Sequence, residues 1–206
     1  MDLTIDEARL LVSDAVLWPR MRDFLWDFAP QIDASWLAEL PLDGMRNEPR
    51  VKAWLLHELA VEPCFHTFPK EDMSRLALLD GATLLELVKW LGALDNAEAL
   101  RRVTSGAQVR SLKAALPGVY PEVFQYTAYF RLADEGAVVT APEVLIEAGM
   151  GMLLAALEAA PEPVIARMRL KLPKALSGVV AGKKPADGAL KKLLKLKFRE
   201  AYTLCC

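Results

Sequence analysis

Thr140-Ala-Pro-Glu-Val-Leu-Ile-Glu-Ala-Gly-Met-Gly-Met-Leu-Leu-Ala-Ala-Leu-Glu-Ala-Ala-Pro161 sets the fold class. Thr140 and Glu143 have the spacing of a capping box, in which each side chain serves the other's backbone amide. The stretch predicts a long helix over 141–160, ended by Pro161 and Pro163, because an interior proline removes a hydrogen bond and clashes with the preceding turn. Apolar residues surround the whole cylinder, so the helix belongs in a core. Glu147 and Glu158 interrupt the apolar run 144–160, and a carboxylate is costly at the centre of a bilayer, so the segment is not read as a membrane span. Gly149-Met-Gly-Met lies inside this helix rather than after a strand. It therefore reads as a site of close helix packing and not as a dinucleotide loop.

The same period extends in both directions. On the N-terminal side, Asp6 to Trp18 is moderately apolar and ends at Pro19. Met21, Phe24, Leu25 and Phe28 then share one face of a helix over 20–28. Asp33 can cap a short helix carrying Trp36, Leu37 and Leu40. Asn47, Glu48 and Pro49 open a helix to about Ala60, with Val51, Trp54, Leu55 and Leu59 inward. After a proline-bounded loop, 82–94 aligns Leu84, Leu87, Val88 and Leu91. Asp95 with Glu98 suggests another capping box, and Thr104-Ser105-Gly106 and Pro117-Gly118 mark breaks. Pro121 opens an aromatic helix with Phe124, Tyr126, Tyr129 and Phe130, and Asp134-Glu135-Gly136 is a turn. Val164 to Leu172 is a short helix, and 174–188 is a Gly-, Lys- and Pro-rich link. Asp187 caps a last helix reaching about Leu204. Val138-Val139 and Leu170-Lys171-Leu172 are the only strand-like scraps. The expected fold is all-α: one multi-helix globule of about ten short helices, with an acidic body at 1–173 and a basic link and C-terminal helix at 174–206.

Composition agrees with this. The 206 residues are 53% hydrophobic and 25% charged, which is too apolar for a disordered chain and long enough to bury a core without staples. Three cysteines do not make a disulfide scaffold. Cys64 reads as a small buried hydrophobe, and Cys205-Cys206 as a frayed, exposed end. The first residues are acidic and lack the basic-then-apolar pattern of a secretory signal, so a reducing cytoplasm is expected.

Charge is segregated. From Arg167 onward, eleven basic residues face only Asp187 and Glu200, a local net of +9, while fourteen basic and twenty-five acidic residues before it give −11. Such a field can steer partners, or the basic end can fold back on its own acidic body. The last helix sharpens the question. Leu190, Leu193, Leu194 and Phe198 form an apolar face, and Lys191, Lys192, Lys195 and Arg199 form a basic one. A basic amphipathic helix can close a core, dock in a groove, lie on a membrane or touch nucleic acid.

Chemistry is sparse. Of the two histidines, His57 sits at a helix edge and His66 in a proline-bounded loop. No Gly-x-Ser-x-Gly elbow or Walker glycine loop is present. A Cys64-x-His66 pair alone is short of the four ligands zinc wants. No enzyme, catalytic residue, cofactor site or metal site is expected.

At 140–175 the sequence resembles the type III secretion sorting-platform family SctK/YscK. The resemblance rests on Val144-Leu-Ile-Glu-Ala-Gly-Met-Gly-Met-Leu-Leu-Ala-Ala-Leu-Glu158, then Pro161-Glu-Pro, then Arg167-Met-Arg-Leu-Lys-Leu-Pro173. The stretch 84–116, with Arg101-Arg102, is similar in pattern. This implies a non-enzymatic helical adaptor under the injectisome, at the cytoplasmic face of the bacterial inner membrane. It implies contact with the forkhead-associated domain of the ring protein SctD and with the pod protein SctQ, and through the pods with SctL and the SctN ATPase. Arg167, Arg169, Lys171, Lys191, Lys192, Lys195 and Arg199 are the expected protein contacts. The alternative is a nucleic-acid- or membrane-surface-binding protein that uses the same basic end.

Overall fold

A computed structural model describes residues 15–38, 40, 48–62, 64, 66–70, 72–127, 141–185 and 188–206. In chain order the helices are α1 (Leu17–Leu25), α2 (Ala34–Leu37), α3 (Pro49–Glu58), α4 (Gly81–Asp95), α5 (Ala97–Arg101), α6 (Gly106–Ala115), α7 (Pro142–Ala156), α8 (Glu162–Leu170), α9 (Ala189–Lys197) and α10 (Arg199–Cys205). Short 3₁₀ segments lie at Ala29–Gln31, Met73–Leu78, Glu122–Gln125 and Lys174–Leu176. No strand occurs among the described residues, and the fold class is all-α. The chain forms two units. The first collects 1–81, 160–174 and 200–206, and the second collects 82–159 and 175–199.

In the first unit, α1 turns Leu17, Met21 and Phe24 inward, at i, i+4 and i+7. Pro19 does not end a helix as expected. It sits in the first turn of α1, where an amide would have no partner inside the helix anyway. Phe24 meets Phe28 and Phe68 edge-to-face, with ring centroids 5.7 and 5.6 Å apart. Asp33 caps α2 by accepting the Ser35 amide at 2.9 Å. Trp36 in α2 donates from Nε1 to the Leu172 carbonyl at 2.8 Å. In α3 Leu55 is fully buried, but Trp54, expected inward, is 41% exposed. The helix α8 packs on the turn Met73–Leu78, and α3 on the turn Ala29–Gln31.

The second unit is organised around α4 and α7. Leu84, Leu87 and Val88 are fully buried and Leu91 nearly so. The Gly149 reading holds. A Cβ built on Gly149 would run into the Val88 carbonyl, and one on Gly92 into the Leu145 carbonyl. Two backbones therefore touch where each helix lacks a side chain, as closely packed helices require. Gly151 repeats the device against the segment after α8: Gly182 donates its amide to the Gly151 carbonyl at 2.9 Å.

Several local expectations are corrected. Asp95 is the last residue of α4 and not a cap. Asn96 stands at the N-cap of α5 without a capping bond and turns Nδ2 back to the Gly92 carbonyl at 3.0 Å. Glu98 pairs instead with Arg101 at 2.6 Å. Pro121 follows a cis peptide bond and opens a 3₁₀ turn rather than an aromatic helix. Leu170 ends α8, so Leu170-Lys171-Leu172 is a helix exit and not a strand. The last helix is broken at Phe198 into α9 and α10. Cys205 is fully buried and not part of a frayed end. The helix predicted over 6–18 up to Asp14, Asn47, the Thr140 cap, the Asp187 cap, Tyr129, Phe130, the 134–136 turn and Val138-Val139 lie outside the described residues.

Candidate functional site

The α9 face follows from its spacing. Leu190, Leu193 and Leu194 are buried at 7%, 0% and 0% exposure, and Phe198, just beyond the helix, at 7%. Gly188 enters the helix at φ +80°, a left-handed conformation glycine adopts without cost. With the leucines inward, Lys191, Lys192 and Lys195 are exposed, as is Arg199 at the start of α10.

Lys197 has a different fate. It is half-buried, forms an ion pair with Glu122, and places Nζ 4.9 Å from the ring centroids of both Trp90 and Tyr126. Those two rings meet each other edge-to-face at 5.4 Å. Partial burial would lower its pKa, but hydrogen bonds to Glu122 and Tyr126 and their charges raise it above lysine's ordinary value. Lys183 reaches Asp95 at 3.8 Å, and Lys184 pairs with Glu158. Part of the basic end is thus neutralised by acids of its own unit. Spacing alone could not separate Lys197 from Lys195.

In the first unit, Arg167 and Lys171 were expected on a contact surface, and both are buried, at 3% and 2% exposure. Arg167 donates from Nη1 to the carbonyls of Phe24 at 2.7 Å and Leu25 at 3.0 Å, and from Nη2 to Glu62 at 3.3 Å. Its guanidinium lies 6.0 and 5.6 Å from the Phe24 and Phe28 ring centroids, and its Nε has no hydrogen-bond partner. Lys171 donates from Nζ to Ala77 at 2.8 Å and Leu79 at 2.9 Å, 4.8 Å from the Phe24 ring centroid. Arg75 does the same for Phe68 and Leu204, at 2.9 Å each. Phe24, Leu25, Ala77, Leu79 and Leu204 lie at helix or 3₁₀ ends, where the last carbonyls have no partner within the element and a buried N–H donor can satisfy them, whereas Glu62 and Phe68 are loop carbonyls. Burial lowers the Lys171 pKa to about 7. Arg169, on the same helix as Arg167, is half-exposed.

Two other constellations place polar groups together. Ser74, His66 and Asp72 have the composition of a hydrolase triad but not its geometry. Ser74 Oγ lies 3.0 Å and Asp72 Oδ2 4.0 Å from the same His66 nitrogen, Nε2, so no relay runs across the ring. Ser74 is 1% exposed, and its amide donates to Asp72 at 2.8 Å as a turn cap. Burial lowers the His66 pKa against the opposing pull of Asp72. In the second unit an open groove of ≈ 570 Å³ is lined by Glu147, Gly151, Met152, Val180 and the Asp95–Lys183 pair. It holds carboxylates and apolar surface but no His, Ser, Thr or Cys among its lining residues. Cys64 is buried at 5% exposure, and burial raises its pKa against the opposing charge of Arg167, as suits an inert thiol. Among the described residues no three His, Cys, Asp or Glu gather to hold a metal, and no helix is long and apolar enough to cross a membrane.

Residues 23–120 match the family model of YOP proteins translocation protein K (YscK). This match, over just under half of the chain, agrees with the resemblance to the SctK/YscK family, a type III secretion family of structural or accessory kind. The matched span contains the 84–116 pattern but not the 140–175 motifs, and it extends over residues 23–83 as well. No curated protein and no solved structure matches the chain.

Proposed function

We propose that this chain, which matches the YscK family model over 23–120, is a type III secretion protein and a non-enzymatic adaptor of the cytoplasmic sorting platform. In this reading it bridges the forkhead-associated domain of SctD, at the inner face of the bacterial inner membrane, to the pod protein SctQ. SctL and the SctN ATPase follow beyond the pods. The observation that carries the reading is the family match.

Lys191, Lys192, Lys195 and Arg199 make one of the two contacts, with Arg169 as a further contact residue. An exposed part of the acidic first half makes the other. Arg167 and Lys171 leave this set, because their donors are turned to backbone carbonyls inside the fold. The test is a pairwise pulldown of the purified full chain with the SctD cytoplasmic domain and with SctQ. Binding to both is expected, and binding to neither ends the adaptor reading. The exposed lysines of α9 also fit an anionic surface. Salt-dependent retention on DNA, or sedimentation with anionic liposomes, in a chain that binds neither protein would favour that second reading.

A further inference from the structure

Leu196 breaks the pattern of its helix. The other leucines of α9 are 0–7% exposed, but Leu196 is 48% exposed. At 100° per residue it falls ~40° round the helix from Lys192 and one turn further on, so it borders the lysine face rather than the core. Lys192 and Lys195 flank it, and both are exposed.

We infer that Leu196 is the apolar anchor of the α9 contact, and that its occupant is an acidic protein segment presenting an apolar side chain. The inference rests on the adaptor reading for its biological setting but not for its chemistry. Charge complementarity names the occupant: a lysine-flanked leucine matches carboxylates set around an apolar residue. An anionic bilayer would need more than one exposed leucine to hold the helix in its interface. A single-stranded nucleic acid would want a series of aromatic or arginine stacking partners, and the basic set of α9 and the start of α10 holds one arginine, Arg199, and no aromatic residue. The two kinds of residue divide the work. Exposed charges chiefly set encounter rate and salt dependence, whereas a desolvated apolar anchor chiefly sets dissociation.

The experiment uses the full chain and two synthetic peptides: one glutamate-rich with a leucine seam, the other identical but with serine in place of leucine. The wild-type chain should bind the leucine peptide roughly tenfold more tightly than the serine peptide. Leu196→Ser should erase that difference through faster dissociation and leave the helical circular dichroism intact, and Leu196→Met should keep it. The triple variant Lys191→Glu, Lys192→Glu, Lys195→Glu should slow association and flatten its salt dependence. Equal binding of the two peptides, or an unchanged preference in Leu196→Ser, overturns the inference. So does binding to phosphatidylglycerol vesicles or duplex DNA with neither peptide bound. The SctD and SctQ pulldown reads the adaptor proposal separately, so either idea can fail alone.

Discussion

Lys171 donates from Nζ to the carbonyl oxygen of Leu79 at 2.9 Å, and the Ala77 carbonyl takes a second hydrogen bond from the same nitrogen at 2.8 Å. An uncharged amine has two N–H groups, so two carbonyls satisfy it without a carboxylate.

Stability should therefore rise with pH just above neutrality. Burial holds the folded pKa at about 7, with Asp80 and Asp23 favouring the charged form and Arg20 opposing it. The unfolded lysine titrates near ~10.4. Between those values the unfolded chain carries a proton that the native chain has lost, so raising the pH favours the native state, by at most ~1.4 kcal/mol per unit. Above roughly pH 9 the buried Cys205 thiol, its pKa pushed up to about 12, works in the opposite direction. Urea midpoints at about pH 7.5 and 8.5 read the rise, and Lys171→Met should flatten it.

Arg167 should prove structural. Arg167→Met strands the carbonyls of Phe24, Leu25 and Glu62, at a cost of ~2–4 kcal/mol. Arg169→Met, on the same helix but half-exposed, should cost ~0.5 kcal/mol or less. Equal thermal midpoints for the two variants would contradict the buried bridge.

Gly149→Ala should destabilise the second unit by ~3 kcal/mol or more, because the added methyl meets the Val88 carbonyl and neither helix can yield without moving its backbone. Gly178→Ala is the control. Nothing lies within 4 Å of the methyl it adds, and its effect should be neutral or slightly stabilising. Differential scanning calorimetry separates the two.

Lys197→Met should lower stability by ~1–2 kcal/mol and change the fluorescence of Trp90, through loss of the cation–π contact and the Glu122 pair. Lys195→Met, two residues earlier and exposed, should do neither. Indole emission with a urea titration decides it.

Sequence reading reached the elements whose signal is periodic. Leu84, Leu87, Val88 and Leu91, or Leu190, Leu193 and Leu194, recur at helical spacing and are buried as that spacing requires. Gly149 was legible because a glycine inside an apolar helix implies a close neighbour. What the sequence hides is decided by distant partners. Nothing local to Arg167 or Lys171 announces that helix-end carbonyls of Phe24 and Leu79 wait for them, so the usual rule that charge stays outside pointed the wrong way. Lys195 and Lys197 look alike until Trp90, Tyr126 and Glu122 are brought to one of them. Leu196 is equally hidden, because a leucine's place in the sequence does not say whether it borders the core or the solvent. The candidate site was thus half legible: its exposed lysines follow from spacing, and its apolar border does not.

The first unit takes in residues 1–81, yet it also requires 200–206, where the Leu204 carbonyl receives Arg75 Nη1 at 2.9 Å. During synthesis on a ribosome, the residues up to 81 must wait, incomplete, until those seven residues, more than a hundred positions later, leave the exit tunnel. An epitope tag or a truncation placed there would disturb a region translated long before it.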